Sequence, residues 1–209
     1  MNKAALFLPL IIFIFSSSVI AETIGNISAV QGSASIQRGE QVLPVRPDTL
    51  IQTGDQLITP KGGKIRFRLR DNTRITLAEG TRFSIKRYQY NAEKSTSDVK
   101  FKLAEGAFRA VTGAIGLQKK PVFEVETSVA TMGIRGTDFW GGFIFSDALD
   151  VTMISGKGVY IRNADGQVEL TQAGQGTTVK AGQAPGAVKS WPESKLQRAI
   201  ATTALEGDE

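Results

Sequence analysis

The 209-residue sequence contains no cysteine and no histidine. Together these absences exclude a thiol nucleophile, an imidazole base and the usual zinc and copper sites. An exported chain without cysteine has no disulfide staples, so its stability must come from core packing. Lipid attachment through an N-terminal cysteine is excluded for the same reason. Beyond Phe15 no stretch is long and apolar enough to cross a membrane as a helix.

The N-terminus reads as a processing segment. Lys3 supplies the positive end, Ala4 to Phe15 is an apolar run, and Ser16 to Ala21 offers small residues before a cut. This is the pattern of a secretory signal peptide cleaved after Ala21. The alternative is an uncleaved anchor, but the run is short for a span. The expected organisation is a signal peptide over 1–21, an all-β domain over 22–180, and a linker with a short C-terminal helix over 181–209. The expected location is periplasmic or secreted. About 188 residues remain after cleavage, enough for one domain with a real core.

Charge is unevenly distributed. The full chain has 25 Lys and Arg against 20 Asp and Glu. Removing the signal segment takes away only Lys3, which leaves a net charge of +4. Between Lys61 and Tyr90 nine cations meet two acids, a local +7. One basic zone therefore sits on an otherwise mildly acidic protein.

That zone also carries the clearest strand pattern. Lys64 to Arg70 alternates strictly, with Ile65, Phe67 and Leu69 on one face and Lys64, Arg66, Arg68 and Arg70 on the other. Asp71-Asn72-Thr73 turns the chain and Arg74 to Leu77 returns with the same alternation. A further turn at Ala78-Glu79-Gly80 leads to Arg82–Lys86, which reads as the third strand of a meander. Asn91 to Asp98 is polar and reads as a loop, as does Gly113 to Pro121. Short alternating segments continue to Lys180. The tetrapeptide Leu-Ala-Glu-Gly ends a strand both at 77–80 and at 103–106, which suggests similar stacked β-units. Ala181 to Pro192 reads as a linker. Ser190 and Glu193 have capping-box spacing for a short helix through about Leu205, with an apolar stripe of Leu196, Ala199, Ile200, Ala204 and Leu205.

The densest signal is Thr127 to Phe139. Gly133 and Gly136 bracket Ile134-Arg135, and glycine permits φ > 0 or a close backbone approach. Arg135-Gly136-Thr137-Asp138-Phe139 resembles the Arg-Gly-Thr-x-Phe element of the FecR-like domain family. Gly54 to Thr59 resembles its Gly-Asp-x-Leu-x-Thr, including Asp55. Val151 to Ile161 resembles its Val-x-x-Gly-x-Val, and Leu170 to Gln175 its Leu-x-x-Gly-Gln. The four pieces stand in the family's order and span roughly Ile24 to Val179. Asp71-Asn72-Thr73 departs from the family's Asp-Gly-Ser, but Asn also tolerates the left-handed conformation.

The expected fold is all-β: a twisted β-sandwich or β-roll of stacked hairpins, with a solenoid-like stack as one form of it, plus a short C-terminal helix. The resemblance implies a non-enzymatic module for envelope sensing or protein–protein interaction. Its best-known members regulate a sigma factor through a cytoplasmic segment and one membrane span. This chain is expected to carry neither after cleavage, so a separate membrane protein would relay any signal.

Two groups of residues stand out for function. Lys64, Arg66, Arg68, Arg70 and Arg74 form a candidate basic face, widened by Arg82 and Lys86 on neighbouring strands. Such a row suits an acidic protein surface or an anionic envelope polymer; equally, it is what a solvated sheet face looks like. Nucleic acid is not an expected partner in this compartment. The family-motif residues Gly54, Asp55, Thr59, Gly133, Arg135, Gly136, Thr137 and Phe139 read as structural; Arg135 is placed either to reach a ligand or to fork inward to a carboxylate or to carbonyls, and the glycine bracket favours the structural anchor.

Catalytic residues, metals and cofactors are not expected. Ser97 and Lys100 match Ser-x-x-Lys but fall at a loop-to-strand junction, without its companion motifs. Asp55, Asp71, Glu79 and Glu105 are available for glycoside chemistry, yet all sit at turns, where such residues occur for ordinary reasons.

Overall fold

The computed structural model describes residues 22–208; the expected signal segment lies outside the described residues. The chain forms β1 (Thr23–Gln31), β2 (Ser35–Arg38), β3 (Gln41–Pro44), β4 (Leu50–Gln52), β5 (Gln56–Thr59) and β6 (Lys64–Leu69). It continues through β7 (Arg74–Leu77), β8 (Thr81–Asn91), β9 (Thr96–Glu105), β10 (Ala107–Val111), β11 (Phe123–Glu126) and β12 (Thr131–Ile134). It ends with β13 (Thr137–Gly142), β14 (Leu149–Gly156), β15 (Val159–Asn163), β16 (Gly166–Leu170), β17 (Gln175–Val179), β18 (Lys189–Ser190) and helix α1 (Glu193–Thr202).

Two nine-stranded sheets form from these strands. The front sheet has the order β18-β17-β14-β13-β10-β7-β6-β1-β4, and the back sheet β16-β15-β12-β11-β9-β8-β5-β2-β3. Strand order within each sheet nearly follows chain order. The chain therefore winds between the sheets as it advances along the sandwich, which is the solenoid-like form of the expected fold. Pairing is antiparallel except between β9 and β11.

The alternation seen in the sequence sorts residues between the two faces. Ile65, Phe67 and Leu69 of β6 are buried, and so are Phe83 and Ile85 of β8. Six phenylalanines lock the sheets together. Phe67, Phe108 and Phe139 come from the front sheet, and Phe83, Phe101 and Phe123 from the back. Their ring centroids lie 5.2–6.2 Å apart in tilted or edge-on pairs. Such pairs contribute about 0.5–1.5 kcal/mol each beyond the area they bury.

The structure corrects four local expectations. First, there is no three-stranded meander with a continuous basic face. β6 and β7 pair in the front sheet, but Ala78-Glu79-Gly80 carries the chain across to β8 in the back sheet, so Arg82 and Lys86 are not on that face. Second, the polar stretch 91–98 is a loop only over 92–95; Asn91 and Thr96 to Asp98 are strand, because β8 and β9 extend as a long hairpin around that four-residue turn. Third, the stretch 181–192 contains β18, which pairs with β17. Fourth, Ser190 belongs to that strand; Pro192 occupies the N-cap and no side chain caps α1. The loop 113–121 holds a 3-10 turn, Ala114–Leu117, with Ile115 fully buried.

Helix α1 packs on the outer surface of the front sheet. Ala199 is buried against Trp140, Ala78 and Ala107, with Phe145, Ile154 and Trp191 at the margin. The small Ala side chain lets the helix approach the indole. The docked face runs through Lys195, Ala199 and Thr202, so Leu196 and Ile200 of the expected stripe flank it rather than centre it. Polar contacts complete the attachment. The Trp140 indole N–H donates to Thr202 Oγ1 at 2.9 Å. Lys195 Nζ reaches Asp150 Oδ1 at 2.7 Å and lies 4.0 Å from the Trp191 ring centre.

Candidate functional site

Strand register builds the front sheet's outer surface in rows. Arg68 of β6 stands opposite Arg74 of β7, Arg74 opposite Val111 of β10, and Val111 opposite Asp138 of β13. The next row runs Arg66, Thr76, Arg109, Trp140. Helix α1 covers the Trp140 end. At the other end Arg66, Arg74 and Arg109 line a cavity of about 480 Å³, together with Thr76, Val111, Thr203 and Asp208.

The five expected basic-face residues do not act as one row. Lys64 is taken up by the helix C-terminus: its Nζ donates to Ala204 O at 2.8 Å and to Ala201 O at 3.3 Å. This places a cation where carbonyls lack helical partners. Arg66 forks onto Asp208, with Nη1 donating to Oδ1 at 2.8 Å and Nη2 to Oδ2. Arg70 meets Glu22 at 2.5 Å and lies over the Tyr88 ring. Of these five, only Arg68 and Arg74 are exposed with no ion-pair partner among the described residues. The open solvated face is therefore corrected to a cleft partly closed by the chain's own tail.

Arg109 and Asp208 complete the cleft, with Asp138 paired to Arg109, and all three were missed from sequence. Arg109 pairs bidentately with Asp138, at 2.9 and 2.8 Å. That hydrogen bonding, stronger than the opposing effect of burial, raises the guanidinium above its ordinary value. The alternation of Phe108, Arg109 and Ala110 carried the signal that Arg109 faces outward. Nothing in sequence marked Asp208, because its place depends on how the tail folds back.

The Arg66 hydrogen bond, the Leu205 backbone N–H and the nearby arginines hold the Asp208 carboxyl down at about 2. A depressed folded pKa stabilises above the unfolded value, about 3.8–3.9 for Asp, and the contribution disappears as pH falls through about 2. Tail attachment at Arg66 is thus expected to be constant from pH 5 to 8 and to weaken below about pH 4. Amide exchange of residues 203–208 against pH checks this; release near neutrality would contradict it.

The family-motif residues separate into distinct roles. Asp55 is fully buried; it accepts two bonds from Arg38, at 2.7 and 2.8 Å, and one from the Gln52 N–H at 2.9 Å. Gly54 beside it takes a positive φ of 95°. Thr59 Oγ1 donates to Ala78 O at 2.6 Å, and Thr137 Oγ1 to Gly158 O at 2.8 Å. Phe139 belongs to the aromatic core. Gly136 has φ 78°, and a Cβ there would stand 2.3 Å from Gly116 O. Arg135 does not fork inward. Its side chain is 64% exposed and only loosely meets Glu169, at 3.5 Å, while its backbone N–H bonds Gly158 O.

Gly133 serves a different end. A Cβ there would fall 2.0 Å from the Tyr160 ring, so the glycine lets that ring lie across β12. The Tyr160 hydroxyl then donates to Glu124 Oε1 at 3.0 Å, beside Arg162 at 2.8 Å. Burial, followed by Glu124, pushes the Tyr160 hydroxyl up to about 12. A raised folded pKa stabilises below the unfolded value of about 10 and is lost as pH rises through the folded one. Stability is expected to fall between about pH 10 and 12, and Tyr160→Phe is expected to flatten that fall. Gly133→Ala is expected to cost about 1–3 kcal/mol by displacing the ring. An unchanged alkaline profile in Tyr160→Phe would contradict this reading.

The carboxylates considered for catalysis have other occupations. Asp71 is buried among Tyr88, Thr73 and Ile115 N. Glu79 accepts from Gly62 N–H, and Glu105 pairs with Arg82. Ser97 and Lys100 lie an odd number of residues apart on β9, hence on opposite faces.

The molecule is thus a two-sheet β-sandwich with a cleft on its outer surface lined by Arg66, Arg74, Arg109 and Asp208. Residues 55–157 match the family model described as FecR protein. β1 to β4, β15 to β18 and α1 lie outside the matched span. No curated protein matches the chain. Two crystal structures of a candidate anti-sigma factor from Parabacteroides distasonis have a similar fold. Each has a TM-score of 0.53 at 16% identity over 69% of this chain. The chain spans 64% and 63% of those two chains.

Proposed function

We propose that this protein is a non-enzymatic accessory module of envelope signalling that acts by binding a protein partner. The match of residues 55–157 to the FecR family model is the observation that carries this reading. The shared fold with a candidate anti-sigma factor fits a signalling context. So does the engagement of Asp55, Asp71, Glu79 and Glu105 in turn and ion-pair structure, which leaves them no free role in catalysis. The N-terminal pattern of Lys3, the apolar run and Ala21 supports a periplasmic or secreted location. No helix among the described residues is long and apolar enough to cross a membrane. On this reading a membrane-anchored sensor or regulator carries the message onward.

Crosslinking in the native envelope, followed by mass spectrometry, tests the proposal. The expected result is one predominant membrane-anchored protein. Crosslinking no better than an unrelated exported protein, or turnover of an envelope polysaccharide, would overturn it.

A further inference from the structure

The arginine cleft has an occupant that comes from the chain itself. The tail after α1 turns back and inserts Asp208 beside Arg66, while Leu205 N–H holds the same carboxylate at 3.1 Å. Gln31 fixes the tail from the side through two bonds with Glu206, at 3.2 Å each. This tail lies outside the FecR match. The pairing is local, and it leaves charge uncompensated. Along the two surface rows Arg66, Arg68, Arg74 and Arg109 are balanced only by Asp138 and the tail's Asp208, an excess of two positive charges. Arg68 and Arg74 stand directly opposite each other across the β6–β7 pair. Like charges in that register destabilise a sheet, so their placement favours a ligand that brings negative charge.

We propose that the Arg66–Arg74–Arg109 cleft is a recognition site for an acidic segment of a protein partner, with the tail's Asp208 as its resident substitute. The proposal rests on the reading of the protein as a binding module. The resident shows the preferred chemistry: a planar carboxylate on a short turn, gripped by a guanidinium fork. The cleft is lined by sheet residues on one side and by Thr203 and Asp208 of the tail on the other, and its volume of about 480 Å³ suits a single side chain and its turn. A phosphate-bearing polymer would instead need a continuous cationic track. That track is interrupted, because Lys64 caps α1 and Arg70 pairs with Glu22. A partner segment with two or more acids would satisfy Arg74 and Arg68 as well as Arg66, and so displace an Asp208 carboxylate that among the arginines is hydrogen-bonded only to Arg66.

The test measures binding of a fluorescent acetylated peptide with the sequence of residues 203–209 to the full chain, and of inorganic polyphosphate in parallel. Asp208→Asn empties the cleft of its carboxylate with little change of shape. It is expected to bind the peptide at least ~5-fold more tightly than wild type, since the tethered competitor is removed. Adding Arg74→Gln to that variant is expected to cancel the gain. Thermal melts confirm that both variants fold. Equal peptide affinity in all three proteins would overturn the proposal. So would polyphosphate binding that rises in Asp208→Asn without peptide binding. Either result leaves the crosslinking test of the binding-module reading unaffected, so failure of the cleft and failure of the module are distinguishable.

Discussion

Trp140→Ala is expected to destabilise the fold by about 3–5 kcal/mol, the usual cost of removing a buried large aromatic. The indole is fully buried although it points away from the main core. It is the floor on which α1 sits, stacked on Phe145 with ring centres 5.5 Å apart and edge-on to Trp191 at 6.3 Å. Removing it leaves Ala199 only the small side chains of Ala78 and Ala107 to pack on and breaks the bond to Thr202. Short helices are marginal in isolation, so α1 and the tail should detach as a unit. The expected readings are a melting temperature lower by roughly 10 °C and rapid proteolysis after β17 while the sandwich persists. A variant whose tail stays protected would show that α1 is held by something other than this aromatic floor.

Asp71→Ala is expected to cost about 2–4 kcal/mol, because it strips partners from buried donors. The carboxylate accepts from Thr73 Oγ1 at 2.6 Å, Ile115 N at 3.2 Å and the Tyr88 hydroxyl at 3.2 Å. Its own carbonyl accepts from Ala114 N at 2.8 Å. One residue thus ties the β6–β7 turn to the 3-10 turn and to the back sheet. Urea unfolding measures the loss. Asp71→Asn should recover little, since its amide group would face donors. A loss below about 1 kcal/mol would mean that water replaces these bonds without penalty.

The sheet faces were legible because period-2 alternation is a property of each strand alone. Lys64 to Arg70 shows it clearly, and the burial follows it residue by residue. The turn at Asn72 was legible too, and its φ is 65°. What sequence could not give was which sheet a strand joins. The turn at Ala78-Glu79-Gly80 looks the same whether it closes a hairpin or crosses the sandwich, so the basic meander dissolved into two sheets. The fate of Lys64 and Arg66 depended on residues about 140 positions away, a separation no local pattern spans. Arg135 misled for a simpler reason. Its glycine neighbours are required by Tyr160 and Gly116, not by the arginine.

The most direct test of the account is capture from the native envelope by three forms of the full chain: wild type, Asp208→Asn and Arg74→Glu. The account predicts one protein partner, enriched by Asp208→Asn and diminished by Arg74→Glu. Recovery of an anionic polymer in place of a protein, or a protein captured equally by all three, would contradict it.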